Sequence, residues 1–263
     1  MSAAPKLLGS HNRCWIWGRH AVMATLRAGL WTPLEVAVAP RCPDDLRADV
    51  RRLTSLQQIP LMEVTDSELS RRCRAEDHQG LAARMPEFPY ANLDEVLSRS
   101  PAPTAWLVLD RIQDSFNFGA IVRSAVELGI DAVLIGTAGQ AGVNSQVVRS
   151  SAGAVNYLPI VRARSVPEAL QLLRDAGVLA IAASEKAAST VDAVDLIRPV
   201  ALVIGNEAEG LSPAVLDCCQ ERVRIPIGNR VGSLNAAVAA GILCYELVRQ
   251  RGKWSKSDGA SLT

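Results

Sequence analysis

From Trp106 onward the chain sets short, unbroken apolar runs between stretches of helical periodicity. The runs are Leu107-Val108-Leu109, Val133-Leu134-Ile135, Val178-Leu179-Ala180-Ile181, Leu202-Val203-Ile204 and the stretch 223–227. A strand that is apolar at every position has no face to offer water. Such strands alternating with helices imply an α/β fold whose parallel sheet is covered on both sides. Sheets of that kind take ligands at the carboxyl ends of their strands, so the residues that follow each run are where chemistry is expected.

Ahead of this pattern, a helical segment at 19–27 and two apolar runs at 36–39 and 59–62 read as a small α/β unit. Pro86, Pro89, Pro101 and Pro103 surround a short helical pattern at 93–97, which marks a linker carrying one helix. The expected division is a first domain over 12–84, a linker over 85–103, a second domain over 104–252 and a flexible polar tail over 253–263. With 263 residues and 49% hydrophobic content, both cores are large enough to fold without staples.

The six cysteines, Cys14, Cys42, Cys73, Cys218, Cys219 and Cys244, show no C-x-x-C spacing. Neither a zinc site nor a disulfide framework is signalled, which fits a reducing cytoplasm and a protein without metal. The N-terminus has no apolar run behind its charge, and the stretch 236–243 is too short to cross a bilayer. A soluble, cytoplasmic protein is expected, with no membrane partner. Lys and Arg number 28 against 27 Asp and Glu, a formal charge of +1, so composition gives no global footprint of a nucleic-acid binder. Basic residues gather locally at Arg47, Arg51 and Arg52, at Arg71, Arg72 and Arg74, and at Arg249, Arg251, Lys253 and Lys256. Solvated helix faces account for such clusters more readily than phosphate contacts do.

Three strand exits carry unusual residues. After Leu109 come Asp110-Arg111-Ile112-Gln113-Asp114-Ser115-Phe116-Asn117, then apolar residues at 118, 121, 122, 125 and 128. That spacing is helical, and Asn117 is expected to cap the helix. Arg123 lies off the apolar stripe, free to hold a phosphate or ribose, or else to pair with Glu127 one turn on. After Ile204 come Gly205-Asn206-Glu207-Ala208-Glu209-Gly210, where glycines allow close approach to a ligand or simply make a turn. Glu207 also suits the first turn of a helix. After Ile227 come Gly228-Asn229-Arg230-Val231-Gly232-Ser233-Leu234-Asn235, where Ser233 and Asn235 offer caps for a helix crowded with alanines. So many small residues suit close packing by another element or a second subunit.

Together the three segments resemble, in order, spacing and residue type, the signature motifs of the SpoU or TrmH family of RNA ribose methyltransferases. Ser151-Ala152-Gly153-Ala154 is a further family-like segment, whereas the loop from Gly136 to Gly142 does not make a dinucleotide site. Gly18-Arg19-His20-Ala21-Val22 and His78-Gln79-Gly80 resemble the small, ribosomal-protein-like substrate-binding domain of many members. That places His20 and His78 in structural or RNA-contact roles rather than catalysis.

The resemblance implies a trefoil-knotted methyltransferase domain with a parallel sheet, an exception to the rule that chains avoid knots. It implies S-adenosyl-L-methionine as cofactor, RNA as partner and a homodimer whose two subunits complete the site. Carried over residue by residue, the catalytic surface is Asn117, Arg123, Glu207, Ser233 and Asn235. The cofactor pocket is Gly205, Ile225, Ile227 and Leu234, with Leu134 and Gly136 nearby. Two departures stand out. Ser115 replaces a proline of the usual first motif, which removes a rigidifier of the turn but no reacting group. In the third motif the usual glycine falls at Asn229, with Gly228 one place early. Members with this two-domain layout commonly methylate a guanosine ribose of large-subunit ribosomal RNA, so that substrate is expected first. Transfer RNA and a non-catalytic role in ribosome assembly are the alternatives.

Overall fold

The computed structural model describes residues 6–9, 14–99, 104–228 and 232–252. The expected tail 253–263, with Lys253 and Lys256, the linker end 100–103 with Pro101 and Pro103, and the third-motif position Asn229 lie outside them. The chain forms two compact units. One is built on Met1–Pro89, Phe118–Arg123 and Gly142–Tyr157, the other on Tyr90–Asn117, Ser124–Ala141 and Leu158–Thr263.

In the first unit β1 (Trp15–Trp17), β2 (Glu35–Val38), β3 (Leu61–Glu63) and β4 (Leu81–Arg84) form one sheet in the order β1-β4-β2-β3. Only the β2–β3 pair is parallel. Three helices, α1 (Arg19–Ala28), α2 (Asp44–Leu56) and α3 (Asp66–Cys73), complete the N-terminal part. The segment Ser145–Ser150, α6 in chain order, also belongs to this unit. Its Arg149 guanidinium sits 4.6 Å from the centre of the Trp17 ring and pairs with Asp77. The Trp17 indole donates to Asp77 at 2.9 Å. That hydrogen bond first, with the Arg149 charge behind it, holds the Asp77 carboxyl below its ordinary value.

Gly153 has φ +85°, and a Cβ there would collide with the Ala24 side chain, so this segment needs its glycine for both conformation and space. His78 is buried; its Nδ1 accepts from the Gly80 amide at 3.0 Å and its Nε2 lies 3.1 Å from the Ser70 hydroxyl. Both ring nitrogens are used in holding the chain together, which is a structural role.

The second unit carries a seven-stranded, wholly parallel sheet. Its strands are β5 (Ala105–Asp110), β6 (Ala132–Ile135), β7 (Ile160–Arg162), β8 (Leu179–Ala183), β9 (Ser189–Thr190), β10 (Val200–Gly205) and β11 (Glu221–Arg224). The order is β7-β6-β5-β10-β8-β11-β9. Every residue of β5 and β6 is buried, the outcome their unbroken apolar runs imply. Trp106, Val108, Leu134, Val203 and Ala180 form one core with α7 (Val166–Asp175) and the helices α4 (Leu93–Leu97) and α8 (Pro213–Cys218).

Helix α5 (Ser115–Glu127) corrects one expectation. Asp114, not Asn117, is its N-cap, accepting from the amides of Phe116 and Asn117 at 3.0 and 3.3 Å. A carboxylate reaches two free amides at the positive end of the helix better than a neutral amide could, and it releases the Asn117 side chain for other bonds. Asn235 does cap α9 (Ala236–Arg251), accepting from Ala237 and Val238 at 2.9 and 3.3 Å. No described helix is long and apolar enough to cross a membrane.

Candidate active site

The carboxyl ends of β8, β10 and β11 open into a cavity of about 560 Å³. Its wall includes the backbone turn after β10, the segment that leaves β11 and the residues leading into α9. Apolar side chains of Ile204, Leu211, Ile225, Ile227 and Leu234 face it alongside the carboxylates of Glu207 and Glu209. The size is ordinary for a cofactor site. The make-up suits S-adenosylmethionine: apolar walls can sandwich an adenine, main-chain groups outside the sheet can hydrogen-bond its edge, and carboxylates attract a sulfonium.

The turn after β10 is tightly built. The Gly210 amide donates to the Asn206 carbonyl at 2.8 Å, and the Asn206 side chain accepts from the Ala208 amide at 2.8 Å. A Cβ on Gly205 would run into the backbone of Gly210 and Leu211, so only glycine lets the strand end meet the turn so closely. Glu207 therefore stands in a turn and not at a helix start, since α8 begins only at Pro213. Its Oε1 accepts from the Asn117 side-chain amide at 2.6 Å. The Asn117 Oδ1 in turn accepts from the Asn235 side chain at 3.0 Å. One hydrogen-bonded chain, Asn235 to Asn117 to Glu207, thus joins all three strand-exit segments.

Three residues that sequence reasoning passed over hold this arrangement. Asp110 is buried and accepts from the Ser212 amide at 2.7 Å. Arg111 adopts φ +62°, pairs with Glu209 and donates to the Gly210 carbonyl at 3.3 Å. Asn206 donates to the Arg111 carbonyl at 3.0 Å. A non-glycine residue in the left-handed region is uncommon and marks a place held by its surroundings. The signal in the sequence was a charged pair, Asp110-Arg111, directly ending an apolar strand.

Of the expected site residues, Gly205, Glu207, Ile225, Ile227, Ser233 and Leu234 line the cavity, and Asn117 and Asn235 join it through Glu207. Leu134 and Gly136 do not line it. Leu134 lies in the core, and Gly136 is buried where a Cβ would press on Val166. Arg123 is exposed, is not part of the cavity wall and makes no ion pair with Glu127 or other described residues. The Cys73, Cys219 and Cys244 thiols are each pushed up to about 12 by burial, which makes them poor nucleophiles. Among the described residues no group of three His, Cys, Asp or Glu side chains converges on a common point.

Residues 104–245 match the SpoU rRNA Methylase family. The chain belongs to that family. It is an RNA methyltransferase, and S-adenosylmethionine is the cofactor of such SpoU enzymes. Residues 15–91 match the domain described as RNA 2′-O ribose methyltransferase substrate binding. An uncharacterized tRNA/rRNA methyltransferase of Mycobacterium ulcerans is 37% identical over 90% of this chain and 77% of its own length. The SpoU methyltransferase AviRb from Streptomyces viridochromogenes, solved in complex with AdoMet, superposes with a TM-score of 0.78. It is 26% identical, over 94% of this chain and 96% of that one. A solved RNA 2′-O ribose methyltransferase is 31% identical with a TM-score of 0.73, covering 92% and 90% of the two chains.

Proposed function

We propose that this enzyme methylates the 2′-hydroxyl of a guanosine ribose in large-subunit ribosomal RNA, using S-adenosylmethionine bound in the strand-end cavity. The observation that carries the reading is the hydrogen-bonded chain Asn235–Asn117–Glu207, which ends in a carboxylate on the cavity wall. The bound cofactor supplies an electrophilic methyl group on a sulfonium. The main chain around Gly205, Ile225, Ile227 and Leu234 would hold it, beside a wall fixed by the tight turn after β10. Methyl transfer is an in-line displacement, so positioning of the attacking oxygen contributes much of the acceleration. Asn117, Ser233 and Asn235 orient the ribose, and Glu207 holds Asn117 in one rotamer.

Arg123 clamps the neighbouring phosphate and stabilises charge developing on the ribose oxygen. A guanidinium has no acceptor lone pair and keeps its protons, so a phosphate oxygen of the RNA or a water takes the proton from the hydroxyl. Asn117 and Arg123 are six positions apart on α5, so on a helix of 3.6 residues per turn they point about 120° apart, and one helix does not show both to the same point. A homodimer in which one subunit lends Arg123 to the other's cavity resolves this, and the enzyme is proposed to work in that form. The proposed division of labour is 12–84 for RNA binding, 85–103 as linker and 104–252 for the trefoil-knotted catalytic domain.

The test is to incubate the protein with radiolabelled cofactor and RNA from cells lacking the gene, then map alkali-resistant riboses. Label at one guanosine of large-subunit RNA, lost with Arg123→Ala, is the expected result. Label confined to transfer RNA would replace the substrate, and label on a base would overturn the ribose chemistry.

A further inference from the structure

The basic cluster Arg71, Arg72 and Arg74 does not behave as one patch in the structure. Arg72 is committed to the fold: it pairs with Glu68, lies 3.9 Å from Glu35 and sits 5.4 Å from the centre of the Trp15 ring. Arg71 and Arg74 are exposed, and their side chains have no hydrogen bond, ion pair or ring contact among the described residues. Both line a groove of about 540 Å³ in the N-terminal unit, together with Arg41, Ser67, Ser70 and the carboxylates Asp66 and Glu76, the latter accepting from the Ser70 hydroxyl at 3.0 Å. Arg41 reaches the groove from the segment after β2, where it donates to the Glu76 carbonyl at 3.2 Å and lies 3.8 Å from Asp66.

A helix C-terminus favours nearby cations, and that would account for arginines at the end of α3. It does not account for their placement. Arg74 itself is the C-cap, with φ +55°, a position where glycine or asparagine is usual. The one arginine with carboxylate partners on this helix, Arg72, is turned to the fold, while the two without partners line the same concavity as a third from another segment. The two carboxylates of the groove are already engaged, Asp66 beside Arg41 and Glu76 by the Ser70 hydroxyl, which leaves the Arg71 and Arg74 guanidiniums as unneutralised charge suited to the oxygens of successive phosphates. A formal charge of only +1 on the whole chain means that such phosphate contacts must be made locally.

We propose that the groove lined by Arg41, Arg71 and Arg74 is a docking site for the sugar–phosphate backbone of the substrate RNA. Arg71 and Arg74 supply the free charge, and Ser67 adds a neutral donor. This rests on the reading of the chain as an RNA methyltransferase and says where in its N-terminal unit the backbone is held. Contacts of this kind position the RNA and carry no base sequence, so they set affinity and salt dependence rather than choice of nucleotide.

The experiment measures equilibrium binding of deproteinised large-subunit ribosomal RNA to the full chain over a salt series, for the wild type and the double variant Arg71→Gln/Arg74→Gln. Each lost phosphate contact lowers the slope of log affinity against log salt by about 0.7 to 0.9. The double variant is expected to lose roughly 1.5 from the slope and to bind about tenfold or more weakly near 0.1 M salt. Cofactor affinity and Tm should stay at wild-type values. The Arg72→Gln variant serves as the contrast and should lower Tm while leaving the slope of the folded protein unchanged. An unchanged slope in the double variant, with wild-type RNA binding and methylation intact, overturns the groove and leaves the methyltransferase reading standing. A wild-type protein that neither binds nor methylates RNA overturns both.

Discussion

Asn117 shows how much one side chain can specify. It accepts from Asn235 on one side and donates to Glu207 on the other, and among small side chains an amide is the group suited to doing both. Aspartate has the same shape but, when ionised, puts a second carboxylate within 2.6 Å of Glu207. Like charges so close raise the pKa of the pair, and a protonated aspartic acid regains the donor. The Asn117→Asp variant is therefore expected to lose about tenfold or more in kcat at pH 8. The loss should shrink as pH falls through the raised value of the pair. A variant-to-wild-type ratio that does not change with pH would refute the relay. Gly205 poses a simpler test. Any side chain there displaces the turn at Gly210 and Leu211 that walls the cavity, so Gly205→Ala is expected to weaken cofactor binding roughly tenfold by calorimetry.

Among elements, legibility followed burial. Strands β5, β6, β8 and β10 are continuous apolar runs inside the sheet, and the sequence showed each of them. Strand β11 was expected over 223–227 but runs Glu221–Arg224 with only Val223 buried, so at this margin the apolar pattern no longer tracks the backbone. The strands β1, β4, β7 and β9 are two to four residues long, too short for a period to emerge. At the site, the side chains that meet around Glu207 were legible as motifs, whereas Asp110, Arg111 and Asn206 were not, because their work is bonding between two strand exits distant in sequence. The short helix α6 shows the same limit.

Gly119 sits inside α5 against α6, where a Cβ would collide with the Ser150 hydroxyl and the Val147 carbonyl. In an open helix Gly→Ala stabilises by about 1 kcal/mol, but overpacking costs about 1–3 kcal/mol. Gly119→Ala is expected to destabilise, read as a lower urea midpoint; a higher midpoint would show that α6 yields. On α9, the buried Glu246 accepts from Arg249 at 2.7 Å and from Gln250 at 2.8 Å, and the Arg249 hydrogen bond holds its carboxyl below the ordinary value. A lowered folded-state value adds stability that is present above the unfolded value, about 4.3, and is lost as pH falls through the folded one. The stability gap between wild type and Glu246→Gln should accordingly be widest near neutral pH and close in acid. A gap that persists below both values would assign it to packing instead.

For the molecule as a whole, the question is how many chains make one site. Val238, Ile242 and Tyr245 are exposed by 51%, 36% and 56% and, at spacings of four and three, share one face of α9. An apolar stripe on the helix whose cap belongs to the Asn117 chain is a natural surface for a second copy, and Ile242→Glu is expected to yield a monomeric mass in solution with little activity. Mixing variants then decides whether Arg123 acts on its own chain's cavity. Arg123→Ala keeps a sound cavity, and Glu207→Ala keeps a sound arginine. If the arginine comes from the partner, each mixed dimer contains one site with both groups intact and one with neither. Random exchange of equal amounts makes about half the dimers mixed, so activity should rise to about a quarter of wild type from two nearly inactive proteins. If Arg123 serves its own chain, every site in the mixture lacks one group and no activity returns, which would remove the need for a second subunit from the mechanism.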